Sequence, residues 1–96
     1  MALLTDVKTA LRISHTKLDT EITAVINAAQ AEMARAGIVE TAIVDTDPLI
    51  VEAIKTYCKH VMAGDEKRRE GFFVSWQYQL DCLRKSSDYA EVTEDV

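Results

Sequence analysis

The sequence predicts an all-α fold, a small bundle of four helices, and three observations lead there. Proline and glycine are scarce, one and three in 96 residues, which argues against a turn-rich β fold and for long helices. Apolar residues recur at spacings of three and four along several windows, the period of a helix that buries one face. Helix start and stop residues bracket those windows: Thr5, Thr16 and Asp47-Pro48 at the openings, Gly37 and Gly64 at the ends. A chain of this length makes one domain. We assign residues 1–86 to it and read 87–96 as an acidic tail, frayed or lying on a partner.

The first helix is predicted over residues 6–12. Thr5 caps it, Asp6 sits in the first turn where the helix dipole favours a negative charge, and Val7, Ala10 and Leu11 share a face. Ile13-Ser14-His15 reads as a connector. The second helix is predicted over 17–36. Thr16 followed by Asp19 approximates a capping box, and Leu18, Ile22, Val25, Ile26, Ala29, Met33 and Ala36 form one stripe. Ala24, Ala28 and Ala31 form another side. That side either lets a second helix come close or simply reflects alanine's helix propensity on an exposed face. Gly37 ends the helix in a left-handed cap. Residues 38–46 read as an irregular loop.

The third helix is predicted over 48–63. Thr46 or Asp47 caps it and Pro48 takes the first helical position, where a missing N–H costs nothing. Its apolar residues, at 49, 50, 53, 54, 57, 58, 61 and 62, cover well over half the circumference, whereas a surface helix shows a stripe a little over 100° wide. This helix is therefore central to the bundle or shared with a second chain. Residues 65–71 read as a charged hinge. A fourth helix is predicted over 71–85, with Phe72, Phe73, Trp76, Leu80 and Leu83 on its main face. Val74, Tyr78 and Cys82 form a second apolar strip, again implying two neighbours.

Composition narrows the function. The formal net charge is −5, from 16 acids and 11 bases, which disfavours a duplex-binding surface. The one basic run, Lys67-Arg68-Arg69, is either a phosphate contact or a solvated turn balanced by Asp65, Glu66 and Glu70. No stretch approaches transmembrane length. Met1-Ala2-Leu3-Leu4 is too short for a secretory signal. We expect a cytosolic protein with reduced thiols. Cys58 and His60, two apart on a helix, point about 200° from one another and make no shared metal site. Ser14, His15 and Asp19 have no triad spacing to recommend them. P-loop, dinucleotide and nucleophile-elbow motifs are missing from the sequence. We expect no enzyme activity and no cofactor.

The run Asp47-Pro48-Leu49-Ile50-Val51-Glu52-Ala53-Ile54-Lys55-Thr56-Tyr57-Cys58-Lys59 resembles the third helix of the head–tail connector, or DNA-packaging adaptor, proteins of tailed phages and prophages. The opening Leu4-Thr5-Asp6-Val7-Lys8-Thr9-Ala10-Leu11-Arg12-Ile13 and the close Leu83-Arg84-Lys85-Ser86-Ser87-Asp88-Tyr89 resemble the same family. So does the second helix, with Asp19, Ile22 and Ile26. The resemblance covers almost the whole chain but rests on helical patterns, with no active site among them. One departure stands out. Many relatives carry an aromatic–glycine pair after the third helix, leading into an asparagine-rich turn, where this chain has Val61-Met62-Ala63-Gly64-Asp65-Glu66 and then three bases.

The resemblance implies a structural subunit of the virion head–tail junction, made in the bacterial host cytoplasm. It implies a homo-oligomeric ring that joins the portal protein to a downstream connector or stopper. DNA would pass through the channel without sequence-specific binding, and no membrane would be involved. A ring needs two different patches per subunit. The expected interface residues are Ile50, Ile54 and Tyr57 on the third helix and Val74, Tyr78 and Cys82 on the fourth. Lys67, Arg68 and Arg69 are the candidate phosphate contacts. The rival reading is a small helical DNA-binding or regulatory protein.

Overall fold

A computed structural model describes residues 2–44 and 46–85. The acidic tail, and with it the expectation that it is frayed or partner-bound, lies outside the described residues. Four helices account for the architecture, as predicted: α1 (Ala2–Leu11), α2 (Asp19–Arg35), α3 (Pro48–Met62) and α4 (Glu66–Arg84), with a short 3₁₀ turn at Glu40–Ala42 in the irregular segment between α2 and α3.

Helix α1 begins four residues earlier than predicted. Leu3 and Val7 lie one turn apart and are both buried, so core packing extends the helix past Thr5, which becomes an exposed internal residue. At its other end the Arg12 N–H donates to the Thr9 carbonyl (3.1 Å) and the Ile13 N–H to the Lys8 carbonyl (2.9 Å). This is a Schellman ending, and its left-handed position holds an arginine, Arg12 at φ 62°, where glycine is usual.

Helix α2 closes in the same geometry. Gly37 sits at φ 109°, its N–H donates to Ala34 and that of Ile38 to Met33, both at 3.1 Å. Ile38 and Met33 are both buried in the core, the apolar pairing that accompanies this motif. The start of α2 corrects the predicted capping box. Leu18 is the N-cap and makes no side-chain cap bond, while Thr16 contributes its backbone carbonyl to the Asp19 N–H at 3.2 Å. Asp19 faces α1 instead, and its carboxylate pairs with the Lys8 ammonium at 2.7 Å. With Glu21 it also places negative charge on the positive end of the helix dipole.

Asp47 caps α3 as its sequence position suggests: its Oδ1 accepts the Leu49 N–H at 2.9 Å, and Pro48 follows in the first turn. The helix ends at Met62. Ala63 leaves it extended (φ −69°, ψ 141°), and Gly64 follows the helix end as its position suggested, without the positive φ of Gly37. Helix α4 starts at Glu66, five residues before the predicted boundary. Asp65 Oδ1 accepts the Lys67 N–H at 3.3 Å, and Gly71 is carried inside the helix. The presumed hinge is thus the first turn and a half of α4.

Helix α3 is the centre of the molecule. α1 and α2 pack on each other and on α3, and α4 packs chiefly along α3. Ile50, Val51, Ala53, Ile54 and Cys58 of α3 are buried against Leu3 and Val7 of α1, Ile22, Ile26, Ala29 and Met33 of α2, and Trp76 and Leu83 of α4. Most of the wide apolar face of α3 is therefore consumed within the chain, while Leu49 and Val61 at its two ends stay exposed. The helix is central to its own bundle, the first alternative, and these two residues leave apolar surface that the bundle does not cover.

Candidate functional site

Besides the exposed Val44, Leu49 and Val61, two surface features involve α4. The first is its outer face. Trp76, Leu80 and Leu83, at helical spacing, turn inward, and the Trp76 ring lies 4.8 Å from that of Tyr57. The opposite side then points away from every other helix. Val74 is 66% exposed and Tyr78 70%, one turn apart, with Cys82 exposed a further turn on. The ten residues Gly71 to Leu80 carry no charge, in a chain of which 28% is charged. Charge depletion with an aromatic at the centre is the composition of an interface core. A hydrogen bond to Cys82 raises the Tyr78 phenol above its ordinary value.

At the start of this face His60 and Phe73 stack with centroids 4.9 Å apart. His60 Nδ1 lies 3.0 Å from the Arg69 carbonyl oxygen. His60 is thereby a packing group between α3 and α4.

The second feature is a groove of about 480 Å³ where the C-terminal end of α1 meets the α3–α4 turn. Leu11, Met62 and Phe72 supply apolar lining, and Arg12, Lys59 and Arg68 supply charge. Lys59 Nζ and the Arg68 guanidinium each stand 5.9 Å from the centroid of the Phe72 ring, within cation–π range. The left-handed backbone of Arg12 puts a third cation on the rim.

The interface residues expected from the sequence divide accordingly. Val74, Tyr78 and Cys82 are on the surface together. Ile50 and Ile54 are wholly buried in the chain's own core and offer no surface to a partner. Tyr57 is half-buried under Trp76; burial first, then the Glu32 carboxylate, raises its pKa. The basic run divides too. Arg69 Nε donates to the Ala63 carbonyl at 3.0 Å, satisfying the backbone where the chain leaves α3. Arg68 turns to the groove, and Lys67 is exposed.

The groove was invisible in the sequence, because Arg12, Lys59 and Arg68 are brought together only by tertiary packing. The uncharged run 71–80, by contrast, can be read directly from the chain and marks the outer face of α4. Cys58 is buried and its thiol is pushed up to about 12 by burial. It and Cys82 are both free thiols. Among the described residues no three His, Cys, Asp or Glu side chains are grouped to hold a metal ion, and no helix is long and apolar enough to cross a membrane. His15 accepts from the Lys17 N–H while Asp19 pairs with Lys8, so the Ser14, His15 and Asp19 set has no mutual hydrogen bonding.

A family model described as phage connector protein matches residues 3–92. No curated protein matches the chain, and no solved structure does. The family match spans all four helices, including the exposed face of α4 and the groove beside it, and the chain belongs to the phage connector protein family.

Proposed function

We propose that the protein is a structural head–tail connector subunit of a tailed phage or prophage, assembling as a ring beneath the portal protein and above a downstream connector or stopper. In this reading DNA passes through the ring, and the subunit resides in the virion after assembly in the host cytoplasm. The observation that carries it is the family match over residues 3–92. The exposed Val74–Tyr78–Cys82 face supports the assembly half, because it is an apolar surface without a partner among the described residues. The net charge of −5 supports the channel half: a lining that lets DNA slide should make few Lys and Arg contacts to phosphate.

The rival reading, a DNA-binding regulator, loses ground at the basic run, since Arg69 is engaged with the Ala63 carbonyl and Arg68 with the groove. Light scattering over a concentration series, alone and with the portal protein of the same phage, tests the proposal. A stable portal complex, weakened by Tyr78→Ser, is the expected result. A strict monomer that ignores the portal at every concentration overturns it.

A further inference from the structure

We propose that the groove between α1, α3 and α4 receives the acidic segment 88–95 of a neighbouring copy of this chain. The inference rests on the ring reading, since it needs copies side by side. The groove is lined by three cations, Arg12, Lys59 and Arg68, and by no acid. None of the three joins an ion pair among the described residues, where the pairs are made by Lys8, Arg35, Lys55 and Arg84. In a chain with 16 acids and 11 bases, three cations without an ion pair among the described residues surround one apolar floor, a site that calls for a counter-charge. Arg68 also stands in the first turn of α4, where the helix dipole adds positive potential.

The complementary segment is in the same sequence. Residues 86–96 contain Asp88, Glu91, Glu94 and Asp95 and no base. Tyr89 and Val92 between them offer apolar side chains to Leu11, Met62 and Phe72. Geometry selects a neighbour's segment over the chain's own. Arg68 is 17 residues before Lys85, about 26 Å back along the helix axis at ~1.5 Å per residue. Glu91 is six residues past Lys85 and reaches at most about 21 Å, even fully extended. A chain folding its own tail back leaves Asp88 short of the groove and must extend Glu91 almost fully to reach Phe72, 13 residues and about 20 Å before Lys85. The groove sits at the N-terminal end of α4 and the segment follows its C-terminal end, so the contact joins two different patches, as a head-to-tail ring requires.

The test titrates unlabelled full-length chain into a ¹⁵N-labelled full-length variant, Asp88→Asn, Glu91→Gln, Glu94→Gln and Asp95→Asn, whose groove is intact and whose acidic segment is neutral. Concentrations run to about 1 mM, the local concentration that tethered neighbours experience. The expected result is saturable amide shifts at Arg12, Lys59, Arg68 and Phe72. They vanish when the titrant also carries the neutral segment. Arg68→Glu in the labelled chain weakens them roughly tenfold, as loss of an exposed pair plus repulsion should. Shifts at the groove that are equal with both titrants, or none, overturn the proposal. So does a groove difference between the two chains that persists unchanged at high dilution, which assigns the groove to the chain's own segment. Shifts produced instead by duplex DNA overturn it in favour of phosphate. In each of those cases a portal complex that still forms with the neutralised chain leaves the connector reading standing, whereas loss of the wild-type portal complex removes that reading by itself.

Discussion

Arg12 and Gly37 occupy equivalent positions, the left-handed residue that closes α1 and α2 respectively. A left-handed L-residue costs about 1–2 kcal/mol, while glycine gives back part of that through its greater unfolded-state entropy. Arg12→Gly should therefore stabilise the chain by about 0.5–1 kcal/mol, and Gly37→Ala should destabilise it by about 1 kcal/mol, both read from urea midpoints. No heavy atom lies near a Cβ built on Gly37, so the second loss is backbone strain alone. That an arginine persists at the costlier residue is consistent with the side chain being wanted at the groove rim.

Cys58 makes a second residue-scale prediction. Its thiol rises from 9.0 to about 12 in the fold. The folded state disfavours the thiolate, so the contribution to stability is complete below pH 9. It falls as pH climbs through the window from 9 to 12, by roughly 1 kcal/mol per pH unit. Tyr57, also raised, adds in the same direction above its ordinary value of 10.0. Urea midpoints between pH 8 and 11 should decline, and Cys58→Ala should flatten the slope. A disulfide reagent should label Cys82 in the native protein and reach Cys58 only on unfolding.

At the scale of elements, the helices and their inward stripes were legible because 3.6-residue periodicity and the Asp47-Pro48 start survive tertiary packing. Boundaries were less so, and each miss has a physical source. The predicted Thr5 cap yielded to burial of Leu3, and the capping box at Thr16 yielded to the Lys8–Asp19 ion pair. The hinge at 65–71 was helix because Asp65 caps it and one internal glycine costs only about 1 kcal/mol. The width of the apolar face on α3 was correctly seen, but width alone could not say whether a second chain or three helices of the same chain cover it.

The two faces should now respond oppositely to substitution. Ile54→Ala, which empties a fully buried position, should cost about 2–5 kcal/mol. Tyr78→Ser and Val74→Ser, on the outer face of α4, should each stay within ~0.5 kcal/mol of wild type by thermal unfolding. They should nevertheless weaken binding to the portal in the light-scattering assay.

For the molecule as a whole, the division of labour among helices is uneven. α1, α2 and α3 form a mutually packed group, while α4 leans on α3 and keeps one side for the exterior. The connector reading was accessible from the sequence through resemblance, and the family match spans the same helices. The groove was not, because its cations come from positions 12, 59 and 68, and only the fold brings them together. Raising salt should therefore weaken contacts at the groove more than those at the uncharged face of α4, since exposed charges are screened and apolar burial is not. Portal-complex stability measured from 50 to 500 mM sodium chloride, in the wild type and the neutral-tail variant, should fall more steeply for the wild type.

The tight turn Ala63–Asp65, clasped by Arg69, joins two helices that pair along their length using contacts close in sequence. Closing so short a loop costs little chain entropy, so this hairpin should be the part of the protein that organises first during folding. Stopped-flow kinetics would then show Trp76→Phe and Arg69→Ala slowing refolding, with φ values above about 0.5. Val7→Ala in α1 would chiefly speed unfolding. The emerging chain would complete its central helix only after α4 has been synthesised, leaving α1 and α2 to dock on a framework already built behind them.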